Sequence, residues 1–79
     1  MARIAVMATY GPDNVGRANA AFQIAAAAVD EGHQVAIILE LDGTLLVKDP
    51  IIQNVYGLGL TPLRELYPKL IQAGVPIYV

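Results

Sequence analysis

The 79-residue chain contains no cysteine and no tryptophan, and it has a single histidine, His33. Without cysteine the chain can form no disulfide and offers no thiolate nucleophile. One histidine cannot build a metal cluster, and its position after a predicted helix end is typical of a solvated connector. The sequence therefore predicts no catalytic residue, no metal ligand and no cofactor for this chain.

Charged side chains are also scarce, at 15% of the chain against about 25% in ordinary soluble domains. The five Lys and Arg are scattered, which leaves no basic stripe to neutralise a phosphate backbone, so nucleic acid is not an expected partner. The longest apolar run, residues 24–29, is far shorter than the ~20 residues of a membrane span, and the amino terminus lacks the pattern of a signal peptide. We expect a cytoplasmic protein without a membrane partner.

Apolar residues are abundant by contrast, at 56% of the chain, and the mean hydropathy is +0.51. A chain of this size has a thin core, so its apolar side chains outnumber the places that one small core offers. We therefore expect part of the apolar surface to contact a partner.

Two apolar runs on either side of a helical pattern predict a βαβ unit. Residues 4–8 form a short strand ended by a turn, and residues 35–39 are continuously apolar, which is typical of a strand covered on both faces. Between them apolar residues recur at three- and four-residue spacing. Asp13 or Asn14 is expected to cap this helix, and Gly32 is expected to end it in a left-handed conformation.

A second helix is predicted after a loop region that contains two short helical turns, near residues 44–47 and 51–55. Thr61 is the expected N-cap, because Pro62 is favoured at the first helical position. Pro68 falls within the apolar pattern that follows, so we expect a kink there or a later start of the helix.

Residues 75–79, after Gly74, supply a third strand, and the pattern strand, helix, strand, helix, strand is typical of a doubly wound α/β fold. Right-handed crossovers favour strand order 2-1-3 with one helix on each face. The predicted fold is thus a three-layer α/β/α parallel sheet, equivalent to half of a Rossmann-like or flavodoxin-like domain. We expect residues 1–79 to form one α/β domain whose outer strands are bare edges.

Two loops are similar to known catalytic motifs but lack their essential residues. GPDNVGRA, residues 11–18, has the glycine spacing of a P-loop, yet Arg17 and Ala18 stand where Lys and a Mg²⁺-binding hydroxyl are required. ILELDGTLL, residues 38–46, is similar to the first motif of haloacid-dehalogenase-type phosphatases, but Glu40 replaces the nucleophilic aspartate. Neither loop predicts nucleotide hydrolysis or phosphatase activity.

The same two loops remain candidates for binding a small anion or another ligand. Helix-start amides together with an arginine attract anions, although a plain turn and helix cap with a solvated arginine is the preferred interpretation of the first loop. The second loop likewise has a simpler reading as a turn followed by the cap of a short helix. The candidate residues are Gly11, Asn14, Arg17, Asp42, Gly43 and Thr44.

The order of these pieces resembles the DsrE/DsrF-like family of sulfur-relay proteins. The resemblance is carried by the GPD turn, the alanine-rich helix that runs into DEGHQVAIILE, the DGTLL loop and the closing LIQAGVPIYV, and it covers nearly the whole chain. It implies a longer sheet in the intact family and a persulfide-carrying cysteine just past the third strand, where this sequence ends at Val79. No position here matches that cysteine, so the resemblance assigns sulfur transfer to no residue of this chain.

The resemblance implies a role in intracellular sulfur trafficking, in which this chain, as an incomplete domain, supplies scaffold and pocket wall. Relatives commonly assemble as trimers or hexamers, so it also implies a homo-oligomer or an assembly with related subunits. The implied partners are a small anion or a sulfur-bearing protein. The alternative is a non-catalytic module that oligomerises or binds a small anion.

Overall fold

The computed structural model describes residues 2–57 and 59–79 and shows an α/β fold. The strands are β1 (Arg3–Ala8), β2 (Gln34–Leu39) and β3 (Ile77–Tyr78); the α-helices are α1 (Val15–Asp30), α2 (Asp49–Ile52) and α3 (Leu63–Gln72); 3₁₀ helices span Pro12–Asn14 and Leu41–Val47. Within this described part of the chain, every helix is too short or too polar to cross a membrane.

The sheet is parallel and has the strand order β1-β2-β3, so the predicted order 2-1-3 is wrong. Both crossovers move in the same direction across the sheet, and right-handed crossovers of that kind place their helices on the same face. Contacts between α1 and α3 agree with this arrangement. The rings of Phe22 and Tyr67 stack with centroids 5.8 Å apart, and Lys69 Nζ lies 2.9 Å from Asp30 Oδ2.

One apolar core fills the space between the sheet and these helices. The small side chains of Ala18, Ala25 and Ala26 are buried, which lets α1 lie close to the strands. The residues after β2 return to the same side of the sheet, because their apolar side chains belong to the same core. The large apolar side chains that are fully buried are Phe22, Ile37, Leu39, Leu46, Val55, Leu63 and Leu70.

The other face of the sheet is not covered by a helix in the described residues. Burial alternates along β1 and β2, and the residues that point away from α1 and α3 are the more exposed ones. The prediction that β2 is covered on both faces, and with it the three-layer arrangement, is therefore wrong for this part of the chain. We call this surface the bare face; it comprises Arg3, Ala5, Met7, Gln34, Ala36, Ile38 and Tyr78.

The ends of α1 confirm the local predictions. Asn14 is its N-cap, with the side-chain Oδ1 accepting a hydrogen bond from the Arg17 N–H at 3.2 Å. Gly32 follows the helix with a φ of +85°, a conformation that glycine adopts without strain. The two predicted helical turns are present as the 3₁₀ helix Leu41–Val47 and as α2, whereas the third strand is shorter than predicted.

The start of α3 differs from the prediction. Its N-cap is Pro62, without a side-chain hydrogen bond, and Thr61 lies outside the helix. Instead α1 holds the Thr61 peptide: the Thr61 N–H donates to Gln23 Oε1 at 3.0 Å, and the Thr61 carbonyl accepts from Asn19 Nδ2 at 2.7 Å. Pro68 lies inside α3, which continues through it to Gln72.

Candidate functional site

The six candidate residues lie at the carboxyl-terminal end of the sheet, in the loop after β1 with the start of α1, and in the loop after β2. The two loops are packed against each other through two glycines that are both buried. A Cβ atom at Gly11 would overlap the carbonyl oxygen of Asp42, and one at Gly43 would overlap the carbonyl oxygen of Ala8. The structure therefore brings the two loops together, with backbone against backbone, and glycine is required at both contacts.

Backbone hydrogen bonds fix the loop after β2. The Glu40 N–H donates to the Ala8 carbonyl at 3.0 Å, which continues the contact between the strands, and the Gly43 N–H donates to the Glu40 carbonyl at 2.8 Å. Leu41 lies within this turn at a φ of +52°, which is uncommon for a residue other than glycine. The Thr44 hydroxyl donates to the Leu41 carbonyl at 2.9 Å, so its hydrogen is used within the loop itself.

The polar side chains of the loop after β1 also bind their own backbone. Asp13 Oδ1 accepts from the Gly11 N–H at 2.8 Å, and the Asn14 N–H donates to the Gly11 carbonyl at 3.1 Å. Asn14 Oδ1 is occupied by the cap bond to Arg17 described above. These bonds make the loop rigid and match the turn-and-cap interpretation of Asn14.

Arg17 presents its guanidinium group at the start of α1. Its Cζ atom lies 5.2 Å from the centre of the Tyr10 ring, a cation–π contact at an exposed site. Sequence reasoning missed Tyr10, because the contact depends on how the loop folds back along the helix. The arrangement places a cation at the positively polarised end of α1, next to two rigid loops.

Asn19 is a further residue that sequence reasoning missed. Its side chain is fully buried; Nδ2 donates to the Thr61 carbonyl, whereas Oδ1 has no hydrogen-bond partner among the described residues. A buried polar group without a partner is costly, so a residue of this kind is uncommon in a core. The sequence did indicate a buried position for Asn19, since it lies four residues after Val15 and three before Phe22, on the apolar side of the helix.

A cleft of about 600 Å³ lies at the opposite, amino-terminal end of the strands. None of the six candidate residues lines it. Open α/β sheets bind their ligands at the carboxyl ends of the strands, so we place the candidate site at the two loops and not in this cleft. Among the described residues, no group of three acidic or histidine side chains is placed to hold a metal ion.

Comparison with protein families identifies the group of proteins that shares this sequence pattern. A sequence model of the DsrE/DsrF-like family matches residues 2–79. The chain belongs to the DsrE/DsrF-like family. The resemblance inferred from the sequence is confirmed, and the 79 residues of this DsrE-like chain contain no cysteine. Neither curated proteins nor solved structures give a significant match.

Proposed function

We propose that this DsrE-like chain takes part in sulfur trafficking in the cytoplasm as a scaffold and pocket wall, and that it carries no sulfur itself. The family match and the cysteine-free sequence support this role. The observation that carries it is the direct packing of Gly11 on Asp42 and of Gly43 on Ala8. This packing makes a rigid wall at the end of the sheet where α/β folds bind ligands.

The proposed ligand is a small sulfur-containing anion, either free or as the persulfide of a partner protein. The start of α1 offers a positive helix end and the guanidinium of Arg17, which both favour an anion. The loop after β2 forms the opposite wall. In this proposal Arg17 contacts the ligand, and the other candidate residues form the two loops that enclose it: Gly11, Asn14, Asp42, Gly43 and Thr44.

Titration of the ¹⁵N-labelled chain with thiosulfate, followed by NMR, tests the ligand. We expect amide shifts confined to the two loops, and none of this size with chloride at equal ionic strength. Replacing Arg17→Ala is expected to weaken binding several-fold, whereas Arg64→Ala, which removes an exposed arginine on α3, leaves it unchanged. Shifts that are spread over the surface, or that persist in Arg17→Ala, would contradict the proposed site.

Intact mass tests the claim that the chain carries no sulfur. After incubation with glutathione persulfide, we expect the mass to stay at 8.4 kDa, because no thiolate is present to accept the outer sulfur atom. A sulfur adduct that survives desalting would contradict the proposal.

A second candidate function is that of a non-catalytic oligomerising module, which builds a homo-oligomer such as a trimer or hexamer, or an assembly with related subunits. It is favoured by the bare face, where Met7 is 55% exposed and Tyr78 59% exposed. Contiguous exposed apolar surface of this kind marks interaction sites. Sedimentation velocity would test it: we expect species at multiples of 8.4 kDa, and a monomer at every concentration would contradict it.

A further inference from the structure

We infer that Tyr10 is a positioning residue of the candidate site: its ring holds the guanidinium of Arg17 in place and leaves the N–H groups of that guanidinium free to bind the anion. The inference rests on the small-anion ligand proposed above and deepens it, because it explains how a long, flexible side chain is directed toward that ligand. It follows from the support of the ring, from its contact with Arg17 and from the hydrogen bonds that Arg17 makes.

The Tyr10 ring is attached to a part of the chain that is packed on both sides. Ala8, two residues before it, meets Gly43, and Gly11, directly after it, meets the carbonyl group of Asp42. The Tyr10 side chain is 37% exposed, so the protein covers most of its surface. Tyr10 therefore offers a ring face whose position is set by the two packed loops.

Arg17 is held at both ends of its length. Its backbone N–H donates to Asn14 Oδ1 at the start of α1, and its Cζ atom lies 5.2 Å from the centre of the Tyr10 ring. The face of an aromatic ring carries partial negative charge and attracts a guanidinium at this distance. This attraction acts on the charge as a whole and requires no hydrogen bond to an oxygen atom. The ring therefore orients the guanidinium without a polar partner.

The N–H groups of the Arg17 guanidinium have no acceptor, and the group has no ion-pair partner, among residues 2–57 and 59–79. Asp13 lies four positions earlier, a spacing at which an aspartate and an arginine can pair along a helix. Instead Asp13 Oδ1 accepts a hydrogen bond from the Gly11 N–H at 2.8 Å. A carboxylate partner would compete with the ligand, because arginine binds carboxylates and other oxyanions through the same parallel pairs of N–H groups. The contact with Tyr10 leaves those groups available.

Such a contact strengthens binding by restricting Arg17 before the ligand arrives. Arginine is among the side chains with the most rotamer freedom, and the loss of that freedom on binding weakens affinity. Less freedom is lost when the guanidinium already lies over the ring. The effect on affinity is modest, because cation–π contacts at exposed sites are weak.

Thiosulfate titrations of ¹⁵N-labelled variants test the inference. Tyr10→Leu keeps an apolar side chain without a ring, and we expect it to weaken thiosulfate binding about two- to fivefold. Tyr10→Phe keeps the ring and is expected to retain the affinity of the original chain. In an Arg17→Ala background, Tyr10→Leu should have no further effect, because Tyr10 acts through Arg17. Tyr56→Leu is the matched control: it removes a tyrosine that is 62% exposed outside both loops, and it should leave binding unchanged.

A second measurement requires no ligand. Protons held over a ring face resonate upfield because of the ring current. We therefore expect the δ-methylene resonances of Arg17 in the free chain to move downfield in Tyr10→Leu and to keep their positions in Tyr10→Phe. Circular dichroism confirms that the variants are folded, and Tyr10→Thr replaces Tyr10→Leu if that variant unfolds.

The results separate this inference from the ligand proposal. If the original chain binds thiosulfate and Tyr10→Leu binds it equally well, or Tyr10→Phe binds it as weakly as Tyr10→Leu, this inference alone is overturned. A loss in Tyr10→Leu that persists in the Arg17→Ala background also overturns it, since Tyr10 would then act without Arg17. Unchanged Arg17 resonances in Tyr10→Leu have the same meaning. If the original chain shows no amide shifts with thiosulfate, the proposed ligand and this inference fail together.

Discussion

Gly43 packs directly on the carbonyl group of Ala8 and leaves no room for a Cβ atom. Because the neighbouring atom belongs to the backbone, a side chain at position 43 forces the loop after β2 away from β1. We expect Gly43→Ala to lower the free energy of unfolding by about 2 to 3 kcal/mol, as measured by urea denaturation. Gly11→Ala, which meets the carbonyl of Asp42, is expected to act similarly.

Gly16→Ala is the matched control for these two glycines. Gly16 lies in the first turn of α1, and a Cβ atom there would meet only Asn14 Oδ1, at an ordinary 3.8 Å. Alanine favours a helix over glycine, so we expect Gly16→Ala to stabilise the fold by up to about 1 kcal/mol. If all three variants lost the same free energy of unfolding, the contact between the two loops would not be the cause of the destabilisation.

Asn19 provides a second prediction. Asn19→Ala removes the hydrogen bond to the Thr61 carbonyl and leaves that carbonyl and a small cavity behind, so we expect a loss of about 1 to 3 kcal/mol in the free energy of unfolding. Asn54→Ala is the control: its Nδ2 donates to the Pro50 carbonyl at the same 2.7 Å, but at an exposed position. A loss in Asn54→Ala as large as that in Asn19→Ala would contradict the importance of burial.

Tyr67 makes the stability of the fold depend on pH in the alkaline range. Burial raises the pKa of Tyr67 above its ordinary value of 10.0, so folding favours the neutral phenol. This contribution to stability is fully present below the pKa of the unfolded chain and is lost as the pH rises through the higher folded pKa. We expect the free energy of unfolding to fall as the pH rises above about 10. The Tyr67→Phe variant has no phenol proton to release at this position, so its free energy of unfolding should fall less steeply with pH. An identical slope in the variant and the original chain would refute this.

Pro68 lies in the interior of α3 at an exposed position, where it removes a backbone hydrogen bond. We expect Pro68→Ala to raise the free energy of unfolding by about 1 to 3 kcal/mol, measured from chemical denaturation. Pro50→Ala is the comparison, because Pro50 lies in the first turn of α2, where proline costs little, and its replacement should change stability only slightly. The same gain in both variants would mean that the position of Pro68 is not the cause.

The helix boundaries that the sequence predicted correctly depend on local chemistry. Asn14 caps α1 through a bond to a residue three positions later, and Gly32 adopts a left-handed conformation that its own lack of a side chain permits. Thr61 shows the limit of such signals. Thr61 precedes a proline, as a helix N-cap often does. In the structure its carbonyl and N–H groups instead form hydrogen bonds with the side chains of Asn19 and Gln23, about forty positions earlier.

The strand order could not be read from the sequence, because it depends on which edge of the first pair accepts β3. Phe22 stacks on Tyr67 and Lys69 pairs with Asp30 because both helices lie on one face, and neither contact has a signature in either helix alone. The apolar run of β2 also did not indicate that only one of its faces is covered by helices in the described residues. A strand with apolar residues on both faces has the same sequence pattern whether one face or both are covered.

The candidate loops were predicted from their positions after β1 and β2, and the structure does bring them together. The contact that joins them could not be predicted from the sequence, because it brings Gly11 against Asp42 and Gly43 against Ala8, which are more than thirty positions apart. The sequence offered these glycines only as parts of loops that could bind a ligand. In the structure the space beside each glycine is filled by a backbone carbonyl group from the neighbouring segment.

The consecutive strand order also shapes how this sheet forms and opens. Each strand lies beside the one that precedes it in the chain, so β1, α1 and β2 can come together before the second half is in place. β1 and β2 pair along six residues each, whereas β3 adds only the pairs of Ile77 with Ile37 and of Tyr78 with Ile38. Among the described residues β3 thus has the fewest backbone pairs with the sheet, and we expect it to open before β1 and β2 separate.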